Sequence, residues 1–295
     1  MRRSRRRGVD APEAMPAVSA AEVLSRQGHA RPVFVEALGG PGARARFEQE
    51  HLAGARLLAL DDDLAAVPPD ARDGGRHPLP SPEAFAAALS REGIARDRPV
   101  AVLDDRDGGN AAARLYVMLR AVGHPEVLWV AGGRAALKRA GAPMAAGPAE
   151  PVVATDYPVT PWSIPLASMA DTERALEDGS AVVLDARAGE RYRGETEPFD
   201  PIPGHVPGAR SLPYTELLDP AGAFLPAPVL RERLSAVGAA DGPVIVQCGS
   251  GVTACMLMIA MEEAGLSRIG PTGPSLWVGS YSEWSRSGKP IARGA

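Results

Sequence analysis

Cysteine is scarce: the 295 residues contain two, Cys248 and Cys255. Two thiols at this spacing build neither a disulfide framework nor a zinc site, so no metal is expected and the chain suits a reducing compartment. A long apolar run is also missing. The longest candidate, around 254–261, falls short of the roughly 18 residues that cross a bilayer and sits in a helical pattern. A basic balance is lacking as well. The formal charge of -4 argues against a general nucleic-acid binder, which needs positive charge to displace counterions from phosphates. A soluble, cytoplasmic protein acting on small molecules or protein partners is expected, with no nucleic-acid or membrane partner. The exception is the start, where Arg2, Arg3, Arg5, Arg6 and Arg7 cluster. No apolar stretch follows, unlike a secretory signal, and residues 1–16 are expected to form a disordered basic tail.

The chain is too long for one ordinary core and fits two domains of about 100–150 residues each. With 45% apolar and 23% charged residues, it has the composition of a globule. Three landmarks recur in the same order in both halves. His51-Leu-Ala-Gly-Ala55 returns as His205-Val-Pro-Gly-Ala209. Arg98-Pro-Val-Ala-Val-Leu103 returns as Gly242-Pro-Val-Ile-Val-Gln247, and Val127-Leu-Trp-Val-Ala-Gly-Gly133 as Ser275-Leu-Trp-Val-Gly-Ser280. The second landmark reads as a buried strand. Apolar helical stretches follow it, roughly 110–122 and 252–264, ending at Gly123 and Gly265 where a C-cap glycine is expected. Strands alternating with such helices predict an α/β fold: two domains, each with a mainly parallel sheet flanked by helices. The expected boundaries are 17–144 and 168–292. Between them, the proline-bearing stretch 145–167 predicts an extended linker.

The most informative segment is the turn after the strand Val244 to Gln247, which reads Cys248-Gly249-Ser250-Gly251-Val252-Thr253-Ala254. Its glycines permit conformations that aim successive N–H groups inward, and the following helix adds the positive end of its dipole. These residues are expected to form an anion cradle around the sulfur of Cys248, favouring the nucleophilic thiolate and equally a persulfide anion. A small buried apolar role for Cys248 is the alternative. Thr253 reads as a donor to the sulfur or a cap, and Cys255 as a core residue. A Walker loop would need Gly-Lys-Ser/Thr, which is absent. A cysteine phosphatase loop would need arginine at position 254, where alanine stands, and the dinucleotide fingerprint is missing too.

These residues resemble the rhodanese superfamily, most closely its tandem-domain 3-mercaptopyruvate and thiosulfate sulfurtransferases. The Cys248 loop carries the resemblance together with Asp185-Ala-Arg187, Arg191-Tyr-Arg-Gly-Glu195, Gly204-His-Val-Pro-Gly-Ala209, Leu276-Trp-Val-Gly-Ser280 and Glu283-Trp284. In the first half, His51-Leu-Ala-Gly-Ala55 and His77-Pro-Leu-Pro-Ser-Pro82 match. The resemblance implies two rhodanese-like domains, the first lacking the nucleophile because Asp104 stands where the second has Cys248. It implies a sulfur carrier that needs no cofactor. Sulfur would move from 3-mercaptopyruvate or thiosulfate, through a persulfide on Cys248, to cyanide or a thiol such as reduced thioredoxin or a low-molecular-weight thiol.

Arg191 and Arg187 are candidates for binding the donor anion, each with an ion pair to neighbouring carboxylates as the alternative. A second family arginine is replaced by Phe199. The resemblance also implies a serine relay, carried onto Ser250 with His51, although no aspartate occurs in the fifteen residues before His51; Ser250 reads equally as a loop-capping hydroxyl, and His51 and His205 read rather as side chains that tie down turns by hydrogen bonding. A non-catalytic rhodanese-like module for partner binding or redox sensing is the competing reading.

Overall fold

The computed structural model describes residues 17–105 and 110–294. The expected basic tail, 1–16, lies outside the described residues. Two parallel sheets organise the chain. In the first, the strand order is Ala17–Val18, Val127–Val130, Val100–Leu103, Val33–Leu38, Arg56–Ala59, with every pairing parallel. In the second it is Ser275–Leu276, Val244–Gln247, Val182–Asp185, Arg210–Ser211, again all parallel. The central strands Val100–Leu103 and Val244–Gln247 are buried throughout, which is why their sequences are apolar runs without alternation. His51–Leu52 forms a small antiparallel ladder with Met144–Ala145.

Local signals set the helix ends. Ser81 caps Pro82–Arg91 by accepting the Ala84 N–H, and Ser168 exchanges bonds with Asp171 in a capping box at the start of Met169–Asp178. The two long apolar helices are Asn110–Ala121 and Ala254–Glu263. They stop where the chain turns at Gly123 and Gly265, which have φ of 70° and 65°.

Both of these helices are buried around nearly their whole circumference, which a helix tolerates only when covered on every side. Each lies on its own sheet and packs against the other, so one apolar core runs through both halves. Side chains such as Leu115, Met118 and Met258 are fully buried there, at about 1.5–3 kcal/mol each. Polar ties reinforce the contact. Glu262 accepts from Tyr116 Oη at 3.1 Å and pairs with Arg120 at 3.0 Å, and Glu263 takes the Ala17 N–H at 2.6 Å.

Residues 146–165 contain no helix or strand. This connector is bonded to the first half through Thr155 N–H to Ser90 O and Ser163 N–H to Ala121 O. No helix of the described residues is long and apolar enough to cross a membrane.

Candidate active site

Cys248 follows the central strand of the second sheet and is 2% exposed. Gly251 in its loop has φ of 72°, and a Cβ there would stand 2.6 Å from Val278 O, so this position needs glycine for both conformation and space. Among the described residues, no protein acceptor takes the N–H groups of Gly249, Ser250, Gly251, Val252 or Thr253. Five successive donors next to a thiol, ahead of a ten-residue helix, are what an anion cradle requires. Thr253 makes no capping bond through its side chain.

The segment after Trp277 clamps the loop from behind. Ser280 is the one described non-glycine residue with positive φ, 52°. Its Oγ accepts the Cys248 N–H at 3.1 Å and donates to Trp277 O at 2.7 Å, while Tyr281 N–H and Ser282 N–H bond Cys248 O and Gly249 O at 3.0 and 2.8 Å. The unfavourable backbone of Ser280 is thus fixed by bonds to the Cys248 loop and to Trp277. The Trp277–Trp284 landmark serves to hold this loop.

A hydrogen-bonded chain reaches the loop from the first domain. Ser250 Oγ lies 2.7 Å from His77 Nδ1, and His77 Nε2 lies 3.2 Å from Asp61 Oδ1. Burial pushes the His77 imidazole down to about 4, against the opposing pull of Asp61. The ring is therefore neutral at pH 7; Nε2–H donates to Asp61, and Nδ1 accepts from the serine hydroxyl. The histidine beside Ser250 is His77, not His51. His51 is buried, stacks on Phe47 and bonds Phe47 O at 2.9 Å, and His205 in the same manner stacks on Tyr192 and bonds Tyr192 O at 2.8 Å. Both tie down turns.

A stability test follows from the sign of the His77 shift. Between pH about 6.5 and about 4 the unfolded state binds a proton that the folded ring refuses, so stability is full above 6.5 and falls as pH drops through this window. Thermal melts of the parent should lose more between pH 7 and 4.5 than melts of His77→Asn. Equal losses would contradict the burial of a neutral imidazole.

The two candidate arginines have different places. Arg187 is 2% exposed and covers Tyr281. Its guanidinium is committed to Asp185 at 2.7 Å, Gly204 O at 2.9 Å and Glu197 at 3.3 Å. It braces the sheet edge, with four of its five N–H donors engaged by these bonds. Arg191 is freer. It pairs with Glu197 at 2.7 Å, and its Nη2 lies 3.2 Å from where a Cβ on Gly249 would be.

A further guanidinium, that of Arg76, reaches the same point from the first domain, with Nη2 at 3.1 Å from that position. Arg76 pairs with Asp200, which also holds Arg286 at 2.7 Å. The exposed ring of Phe199 lies beside both Arg76 and Arg191. Asp61, Arg76, His77 and Arg286 line an open cleft of about 650 Å³ next to the loop.

Residues 168–287 match the rhodanese-like domain family. Over 265 residues the chain is 37% identical to a Pseudomonas aeruginosa protein described as "Probable 3-mercaptopyruvate sulfurtransferase", covering 88% of this chain and 90% of that protein. It is 31% identical to the human 3-mercaptopyruvate sulfurtransferase over 255 residues, 85% of this chain and 82% of the human one. The solved 3-mercaptopyruvate sulfurtransferase from Leishmania major superposes with a TM-score of 0.78 at 28% identity, covering 95% of this chain and 77% of that one. Two parallel sheets in tandem, one cysteine loop at the end of the second, and relatives alike across most of both chains lead to one assignment: the protein belongs to the rhodanese superfamily, among its tandem-domain sulfurtransferases.

Proposed function

We propose that the protein moves a sulfane sulfur from 3-mercaptopyruvate or thiosulfate to a thiol or cyanide acceptor through a persulfide on Cys248. The observation that carries this reading is the set of unspent loop N–H groups around a single clamped thiol, beneath two guanidiniums. Cys248 thiolate attacks the outer sulfur of the donor. With thiosulfate the S–S bond breaks and sulfite leaves with the electron pair. With 3-mercaptopyruvate the C–S bond breaks, the pair goes to carbon as the pyruvate enolate, and the proton of the donor thiol ends on that carbon. The chain of Ser250, His77 and Asp61 is placed to carry this proton, which favours 3-mercaptopyruvate as donor. An acceptor thiolate, from reduced thioredoxin or a small thiol, then takes the outer sulfur and frees Cys248. Mass spectrometry after incubation with each donor and no acceptor tests the reading: one added sulfur, roughly 32 Da, on the peptide holding Cys248 is expected of a covalent carrier. A donor that turns over without loading this peptide would refute it.

Arg191 and Arg76 form the anion site in this reading, one from each domain, where planar forks suit a carboxylate or sulfonate oxygens. Arg191→Lys keeps charge but loses the fork, so the donor KM is expected to rise about tenfold while iodoacetamide alkylation of Cys248 stays near parental. An unchanged KM would leave Arg191 as the partner of Glu197 alone.

A further inference from the structure

Phe199 stands in the segment Glu197-Pro198-Phe199-Asp200-Pro201 and is 61% exposed. A single exposed apolar residue is ordinary; the placement of this ring is not. It lies against two guanidiniums at once, 5.0 Å from that of Arg191 and 5.4 Å from that of Arg76. The same two guanidiniums converge on Gly249, next to Cys248 in the loop, so the ring flanks an anion site to which both domains contribute. The arginines do not need it for support. Asp200 is buried, pairs with Arg76 and stands 3.6 Å from Arg191, and Glu197 pairs with Arg191 at 2.7 Å. The ring is in turn set by its own backbone. Glu197 accepts the Phe199 N–H at 3.1 Å and the Asp200 N–H at 3.3 Å, and Pro198 and Pro201 fix φ on either side. Each guanidinium thus has a carboxylate and an aromatic ring as neighbours.

We propose that Phe199 is a specificity-determining residue whose ring forms an apolar wall of the donor site, favouring an anion with a carbon body, such as a 2-oxo carboxylate, over a compact dianion such as thiosulfate. The proposal rests on the reading of Arg76 and Arg191 as the donor site. The two donors present different surfaces to such a wall. Beyond its outer sulfur, thiosulfate carries three oxygens that share the charge, and each of them requires a donor or water. A ring supplies neither, and its π face is electronegative, so an oxygen turned towards it loses solvation and gains no partner. 3-Mercaptopyruvate concentrates its charge on one carboxylate, which two planar forks satisfy, and its carbon atoms gain from contact with a ring. The ring also attracts both cations through its π face, which lowers the positive potential that a dianion meets.

The test compares the KM values for the two donors in variants of Phe199, whose exposure leaves the core intact when it is replaced. In Phe199→Ser the ratio of the thiosulfate KM to the 3-mercaptopyruvate KM is expected to fall about tenfold, the first dropping while the second rises. Phe199→Leu restores an apolar wall and should hold the ratio within about threefold of the parent. Loss of a mere brace for the arginines moves both KM values the same way. A serine variant whose ratio stays parental, whether both values hold or both rise, therefore overturns the proposal. A second readout needs no sulfur transfer: protection of Cys248 from iodoacetamide by pyruvate and by sulfate. The parent should be protected at a lower concentration of pyruvate than of sulfate, and the serine variant should lose most of that preference. Normal sulfur loading with an unchanged KM ratio removes the wall and leaves the sulfurtransfer reading intact. No loading with either donor, together with a protection preference that follows Phe199, removes the sulfurtransfer reading and leaves the wall. With neither loading nor a preference that depends on Phe199, both fall.

Discussion

Cys248→Ser is expected to abolish sulfur transfer with either donor, whereas Cys255→Ser should retain most of it. The two thiols differ in every respect that matters to a nucleophile. Cys248 stands at the strand end beside unspent N–H groups, with its own N–H and C=O held by Ser280 and Tyr281. Cys255 is a helix residue at 0% exposure, held as the thiol by burial. A serine hydroxyl in the cradle has no accessible anion at neutral pH and cannot carry sulfur, so covalent catalysis disappears and does not merely weaken. Steady-state assays, paired with sulfur loading of the Cys248 peptide, check this. Comparable losses in the two variants would refute a single nucleophile and point to a two-thiol exchange.

Most of the second half of the site was legible from sequence because its chemistry is local. The strand, the glycine-spaced loop and the helix that follow one another from Val244 to Glu263 are contiguous, and backbone rules alone place the donors beside the thiol. The helix ends at Gly123 and Gly265 were legible for the same reason. Parts contributed across the interface were not. Arg76, His77 and Asp61 come from the first half of the chain, and only the packing of Asn110–Ala121 on Ala254–Glu263 brings them to the loop.

The relay reading of His51 came from the family resemblance alone, and the repeat that His51 opens argued for a turn-tying role instead. His205, its counterpart, makes the same stacking and backbone bond, so the motif is structural in both halves. His77 lacks a counterpart in the repeats, opens the segment His77–Pro82 that already carried part of the family resemblance, and has the acidic run Asp61-Asp62-Asp63 upstream of it; these were the available signals. Arg187 carried two readings in the sequence. Sequence places it at the same sheet edge as the Cys248 loop, with an ion pair as the alternative, and the side chain two residues from Asp185 does fold back on that carboxylate. Asp104 stands at the corresponding strand end of the first domain, where its carboxylate accepts the Ala111 N–H at 3.2 Å. The next residues, 106–109, lie outside the described residues.

In the proposed reaction the two donors make different demands on the chain from Asp61 through His77 to Ser250. Sulfite leaves thiosulfate as a stable anion and needs no proton, whereas pyruvate enolate must be protonated at carbon, and general acid–base assistance of this kind is worth about 10²–10⁴-fold. Ser250→Ala and His77→Asn should therefore each lower kcat with 3-mercaptopyruvate by about a hundredfold or more. With thiosulfate, kcat should stay within about threefold, since no transition-state proton is lost. The neutral state of His77, held down to about 4 by burial, further requires that the 3-mercaptopyruvate reaction keep its relay through mildly acidic pH, with no step near the ordinary histidine value of about 6.5. Pairing the two donors in one set of variants controls for damage to the loop. If His77 only braced Ser250, both reactions would fall together, because the cradle serves both. An equal loss with thiosulfate and 3-mercaptopyruvate would reduce the relay to a structural contact, while a loss confined to 3-mercaptopyruvate would show a proton moving along it.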